Sequence, residues 1–251
     1  MAQAVFNRYE KKYLMPEEIY HKLRADLRPH MQEDEYGLHT IGNIYYDTAN
    51  CDLIRRSIQH PVYKEKLRLR SYGVPTLNSK VFLEIKKKYE KVVNKRRIQL
   101  SLQEAYDYLE KGIRPQNDCQ ILREIDFFLQ RYPLEKSLYL AYDRIALFDR
   151  KDPDFRVTFD QNIRSRQSCM GLENGTRGEL LLPEGYFLME SKVLGATPLW
   201  FTEILSSLAI YPVSFSKYGN IYKKSLGAFS VEDMLIHRNE NWDQFRRAKV
   251  C

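Results

Sequence analysis

The stretch 62–73, "VYKEKLRLRSYG", decides how this chain is read. Its even positions are Lys64, Lys66, Arg68 and Arg70, and its odd positions include Leu67 and Leu69. A strand sends alternate side chains to opposite faces. As a strand, the segment would carry a row of four cations on one face and leucines on the other. Cations aligned in a confined space repel one another unless water or a polyanion lies between them.

Neighbouring segments obey the same alternation. In 80–89, "KVFLEIKKKY", Leu83 and Ile85 oppose Phe82, Glu84, Lys86 and Lys88. In 92–100, "VVNKRRIQL", Lys95 and Arg97 share a face. In 7–15, "NRYEKKYLM", Arg8, Glu10 and Lys12 alternate with Tyr9, Lys11 and Tyr13. Further strand candidates are 40–48, 137–148, 155–161 and 186–194. They set Arg144, then Arg156 with Asp160, then Glu190 with Lys192, against apolar partners. With Lys217 the proposed ionic surface gathers fourteen cations and four carboxylates (Glu10, Glu84, Asp160, Glu190), or +10, which leaves the rest of the chain at −3. A solvent face usually mixes its signs, so this basicity calls for an anionic partner.

Helical periodicity falls between the strands. Residues 16–29 repeat Ile19, Leu23 and Leu27, and 101–111 open on the capping box Ser101-x-x-Glu104. Residues 118–131 and 197–210 are amphipathic as well. Four such helices need apolar surface, and the strands offer it opposite the charges. The expectation is an α+β fold: a closed eight-stranded antiparallel β-barrel with a basic polar interior and helices packed outside. On pattern alone an open basic sheet fits equally. The expected division is one tunnel-like domain over 1–230 and a helical tail over 231–251.

Composition narrows the classes. The 251 residues are 43% hydrophobic, enough for a core, and the formal net charge is +7. Cys51, Cys119, Cys169 and Cys251 lack zinc or disulfide spacing. The five histidines have no ligand spacing and read as surface residues. No apolar run approaches the length of a membrane span and no signal-peptide core is visible, so a cytoplasmic protein is expected. No Gly-rich loop ends in Gly-Lys-Ser/Thr, which argues against a Walker-type nucleotide site.

The segments "RYEKKYLM", "YYDT", "KLRLRSYG", "FLEIKKK", "KRR", "YDR", "FRVTFD", "MESKV" and "FSKY" occur in the order of the VTC domain. Over roughly residues 5 to 227 the chain resembles that polyphosphate polymerase domain, a branch of the triphosphate tunnel metalloenzyme (CYTH-like) superfamily. The resemblance implies transfer of the terminal phosphate of ATP to inorganic polyphosphate with Mn2+ or Mg2+. Phosphate, pyrophosphate or a polyphosphate end would be the acceptor. It implies phosphate contacts by Lys12, Arg68, Arg70, Lys86, Lys95, Arg144, Arg156 and Lys217, and metal binding by Glu190. Arg8 stands where related triphosphatases carry a first glutamate, which favours a polymerase over a hydrolase needing two carboxylates. Ser214 stands where relatives often carry a base.

The chemistry suits these residue types. Arginine forks bind phosphate bidentately, whereas lysine is a mobile point charge. Arg68 and Arg70 lie about 7 Å apart by strand rise. With Lys12, Lys86, Lys95, Arg144 and Arg156 they form the expected catalytic set. Arg8, Lys66, Lys88, Arg97, Lys192 and Lys217 are expected to bind substrate, and Glu10 to be a second metal ligand beside Glu190. Glu84 reads as a salt-bridge partner of Lys86 or Arg68, and Glu10 can pair with Arg8 or Lys12 in the same way. Lys11, Lys87 and Arg96 read as outer-face charges. A tunnel triphosphatase or polyphosphatase, and a non-catalytic polyphosphate or nucleic-acid binding module, remain open at this stage. Sparse aromatic platforms on the ionic faces count against specific nucleic-acid recognition.

Overall fold

The 62–73 stretch forms β4 (Tyr63–Tyr72), and its leucines explain why. Leu67 and Leu69 are fully buried in an apolar cluster, while on the opposite face Lys66 and Arg68 are half-buried and Arg70 is buried. The computed structural model describes residues 9–90 and 92–230. Arg8 and the expected tail 231–251 lie outside the described residues.

Seven further strands extend β4 into one sheet. They are β1 (Tyr9–Pro16), β3 (His39–Asp47), β5 (Lys80–Tyr89), β6 (Val92–Ser101), β7 (Glu135–Asp149), β8 (Arg156–Arg166) and β10 (Tyr186–Val193). The order is β1-β10-β8-β7-β3-β4-β5-β6, every pairing antiparallel. Two short strands the pattern did not reveal, β2 (Met31–Glu33) and β9 (Glu179–Leu180), pair with β7 and β8.

The sheet curls on itself. Lys86 Nζ of β5 lies 3.2 Å from Glu10 Oε2 of β1, although six inter-strand steps separate these strands. Flat, that interval would span about 29 Å. The expectation of a closed barrel needs correction, however. Among the described residues β1 and β6 share no backbone pairing, so hydrogen bonds do not close the sheet. Instead the Val213 N–H donates to the Lys12 carbonyl at 2.7 Å, so the chain leading into α6 (Lys217–Ser225) takes up part of the β1 edge. That bond satisfies one carbonyl of the strand's open edge.

Helices cover the convex side in two patches. Against β1, β8 and β10, residues Tyr13, Met15, Val157, Phe159 and Met189 pack on α1 (Glu17–Leu27) and α5 (Leu199–Ser207). Against β3 to β6, residues Leu67, Leu69, Leu83, Ile85 and Ile98 pack on α3 (Leu102–Lys111) and α4 (Gln120–Arg131). The capping box forms: Ser101 Oγ accepts from the Glu104 N–H, and Glu104 Oε2 accepts from the Ser101 N–H. Lys87 and Arg96 do face outward, but both pair with Glu124 of α4, at 3.5 and 2.8 Å.

A third apolar cluster lies on the concave side and corrects the expectation of a wholly polar interior. Leu14, Ile41, Tyr45, Leu138, Leu140 and Leu188 meet Ile54 of α2 (Asp52–Ile58) and Phe215 and Tyr218 around the start of α6. The ionic positions of β1, β7 and β10 give way to leucine further along the same faces. These two helices were not anticipated, being short and weakly periodic. Asp47 joins them: its carboxylate accepts from the Leu53 and Ile54 N–H groups of α2 and from the Tyr218 hydroxyl.

Candidate functional site

Strand register places the charges on one concave face. It receives Lys64, Lys66, Arg68 and Arg70 from β4, Glu84, Lys86 and Lys88 from β5, and Lys95 and Arg97 from β6. From the other half come Glu10 and Lys12 of β1, Glu190 and Lys192 of β10, Arg156, Thr158 and Asp160 of β8, and Arg144 of β7. Lys217 joins from α6. Among the described residues that is thirteen cations and four carboxylates.

Glu84 organises one cluster. Its Oε2 accepts from Arg68 Nε at 2.7 Å, and Lys95 Nζ is 2.6 Å from Oε1. Arg68 also donates to the Tyr45 hydroxyl at 3.2 Å. Arg70 donates from Nε to Asn43 Oδ1 at 2.9 Å and from Nη2 to the Tyr142 hydroxyl at 3.1 Å. Burial opposes ionisation of Glu84, but Arg68, Arg70 and Lys95 outweigh it and hold the carboxyl far below the usual range. Burial pulls Lys95 down to about 7, with Glu84 resisting and Arg68 and Arg70 assisting.

Asp160 and Glu190 organise the second cluster. Asp160 accepts both edges of the Arg144 fork, at 2.6 and 2.8 Å, and Lys217 Nζ at 2.5 Å. Burial works against its charge, yet Arg144 and Lys217 bring it down to about 2. Glu190 lies 3.4 Å from Lys192 Nζ. Its burial is likewise outweighed, by Lys192, Lys12, Lys217 and Arg144, and its carboxyl sits well below the usual range. Lys12 donates to the Phe215 carbonyl at 2.7 Å, and burial lowers it.

The halves meet through lysines. Lys86 reaches Glu10 across the seam. Lys66 sits 5.7 Å from the Tyr218 ring centroid. Burial brings Lys66 down to about 8, Tyr45 opposing and Lys86, Lys64 and Lys12 adding to the fall. Tyr45 is buried, which opposes its ionisation, but Arg68 and Lys66 bring its hydroxyl down to about 8. Arg97 and Arg156 are exposed at the rim, Arg156 donating to the Pro153 carbonyl, and Lys88 is half-buried. Ser214 is exposed one residue before Phe215.

Sequence reasoning missed the uncharged part of the site. Asn43, Tyr45 and Tyr142 fix the two arginine forks, and Asp160 was counted as a charge without a role. Its partners Arg144 and Lys217 are 16 and 57 residues away in sequence, so no local spacing marks the role. The tyrosines gave no signal either, because a lining tyrosine and a core tyrosine look alike in a strand. Two histidines also depart from expectation: His30 stacks on Trp200 at 4.2 Å, and His39 is half-buried on the concave face.

No three His, Cys, Asp or Glu side chains converge among the described residues. Glu10 and Glu190 lie diagonally across the β1–β10 pair, and Thr158 stands opposite Glu190 on β8. The Thr158 hydroxyl is buried without a hydrogen-bond partner. Carboxylate and hydroxyl oxygens are the donor type that a hard divalent cation takes. A groove of about 480 Å3 beside α1 and β2, lined by Arg24, Met31 and Arg150, shares no residue with the two clusters. No helix among the described residues is long and apolar enough to cross a membrane.

An antiparallel sheet curled around a cationic face, with four helices on its convex side and two short ones against the concave side, defines the class. Residues 7–226 match the model of the VTC domain. The chain belongs to the VTC domain family. Among solved structures it is similar to a candidate adenylate cyclase from Bacillus halodurans, with TM-score 0.55 and 18% identity over 85% of this chain and 96% of that one. It is also similar to a candidate adenylyl cyclase from Hippeastrum described as having a dominant triphosphatase activity. There the TM-score is 0.52 and the identity 15%, over 89% of this chain and 97% of that one. Comparison with curated protein sequences gave no significant match.

Proposed function

We propose that this chain is a metal-dependent polyphosphate polymerase, with ATP as phosphoryl donor and inorganic phosphate, pyrophosphate or a polyphosphate end as acceptor. The observation that carries it is the excess of cations around Glu84, Asp160 and Glu190 on facing halves of one curled sheet. The carboxylates orient the cations without neutralising them, which leaves charge for an anion that runs between both walls. A linear phosphate chain has that shape and charge density. In this reading the strands enclose the substrate as a tunnel, joined by side chains such as Lys86 and Glu10 where backbone pairing is absent.

Phosphoryl transfer asks a protein mainly for alignment and charge. Arg70, held by Asn43 and Tyr142, would present its remaining Nη to the transferring group. Arg68, Lys95 and Lys86 would grip neighbouring phosphates from one wall, and Lys12, Arg144, Lys192 and Lys217 from the other. Lys66, Lys88, Arg97 and Arg156 would extend the track. An oxygen of the acceptor phosphate attacks the terminal phosphorus of ATP, the bond to the bridging oxygen breaks, and ADP leaves with that electron pair. The acceptor oxygen is already ionised, so no strong general base is needed. Glu190, with Glu10 and Thr158, would hold Mn2+ or Mg2+, which when bound neutralises charge on the phosphate oxygens.

The test is product analysis after incubation with ATP and Mn2+. ADP together with a ladder of polyphosphate is expected. Orthophosphate alone would establish instead a triphosphatase, the activity described for the Hippeastrum protein.

A further inference from the structure

At one end of the concave face the charges give way to rings. Phe82 stands opposite Arg70 in the β4–β5 register, and Tyr72 follows Arg70 by two residues, about 7 Å of strand rise. The centroids of Tyr72 and Phe82 are 5.7 Å apart, His39 lies 6.0 Å from Tyr72, and Tyr36 lies 6.1 Å from His39. The Arg97 guanidinium covers Phe82 at 4.8 Å. None of these rings contributes to the three apolar clusters. Tyr72 is 49% exposed and Tyr36 69%.

Tyr36 and Tyr72 expose ring surface beside the half-buried His39 and Phe82, and apolar surface gathered in one arc calls for an occupant. Its position selects one. The arc continues the face that carries Arg68 and Arg70, and the interval between Arg70 and Tyr72 is of the order a ribose can bridge. An occupant anchored by its phosphates on the arginines would bring a flat group against the open Tyr72 ring. Each base has a π-face, so stacking on such a ring needs no base-specific hydrogen bond.

We propose that Tyr72, flanked by His39 and Phe82, is the nucleoside subsite of this protein, stacking the base of a nucleoside triphosphate whose phosphates lie on Arg70 and Arg68. The inference rests on the reading of the concave face as a phosphate track. It adds how a nucleotide donor is told from a bare phosphate chain: only the donor carries a ring for the arc to hold.

Isothermal titration calorimetry of the full chain with ATP and with inorganic tripolyphosphate, each with Mg2+, tests it. In Tyr72→Ala the ratio of the ATP to the tripolyphosphate dissociation constant should rise roughly 5- to 150-fold, the range for removing one stacking ring. Tyr72→Phe should restore it. Phe82→Leu, read the same way, serves if Tyr72→Ala melts early. Wild-type binding of both ligands with a ratio unchanged in the alanine and leucine variants overturns the subsite and leaves the phosphate track standing. Wild-type protein that binds neither ligand overturns both readings together.

Discussion

Arg68 and Arg70 share Glu84 unequally. Arg68 spends its Nε on Glu84 and an Nη on Tyr45, so a carboxylate already balances much of its charge. Arg70 hydrogen-bonds two neutral groups, Asn43 and Tyr142, and its Nε lies 3.8 Å from Glu84 Oε2, so the carboxylate holds it more loosely. Arg70→Ala should therefore lower kcat/KM for ATP by about 10²- to 10³-fold, the usual effect of losing one preorganised donor. Arg70→Lys should recover only part of it, since the fork geometry is lost. Wild-type turnover in the alanine variant would contradict the assignment. The lysines make a second prediction at this scale. Lys95 and Lys66, brought to about 7 and about 8, lose their protons as pH rises through those values. Tyr45 gains negative charge near 8. All three changes disfavour an anion, so tripolyphosphate affinity should fall between pH 6.5 and 9. Binding near pH 7.5 should take up protons, read as a dependence of calorimetric heat on the buffer's ionisation enthalpy.

Among the elements, α3 and the sheet beneath it illustrate how local signals and packing agree. Leu102, Ala105 and Tyr108 are buried against the leucine face of the β4–β5 pair. The capping box at Ser101 fixes where this helix leaves β6. Ser101→Ala should cost about 0.5–2 kcal/mol, seen as a lower midpoint in urea. Phosphate binding should be unaffected, because Ser101 touches no residue of either ionic cluster. The capping box and the eight main strands were legible because their periodicities are local. The helices α2 and α6 were not: Lys217–Ser225 carries Gly219 and Asn220 and is held by contacts distant in sequence, such as Tyr218 to Asp47.

For the whole molecule, the concentration of like charge on one face makes ligand and stability inseparable. A ligand that binds only the folded chain stabilises it by about 2.7 kcal/mol at 100 times its dissociation constant. Tripolyphosphate in that excess should raise Tm by several degrees, and added salt should diminish the shift by screening exposed charge. A flat melting temperature in millimolar tripolyphosphate would sink the phosphate track. Acid should act in the opposite sense. Asp160 is brought to about 2 when folded, against an ordinary value near 4. Its contribution is full above the ordinary value and is lost as pH falls through the folded one. Glu84 and Glu190, also lowered, add to this loss in acid.

Local chain pattern settles which residues share a face. Strand alternation is a property of the backbone, so Lys66, Arg68 and Arg70 were bound to lie together, opposite Leu67 and Leu69. What those residues meet is settled by the packed fold. That Glu84 binds Arg68 and Lys95, that Asp160 draws in Arg144 and Lys217, and that leucines fill part of the concave side all depend on how far the sheet curls. Curl sums small twists over eight strands and on the helices packed behind them, and no single segment encodes it.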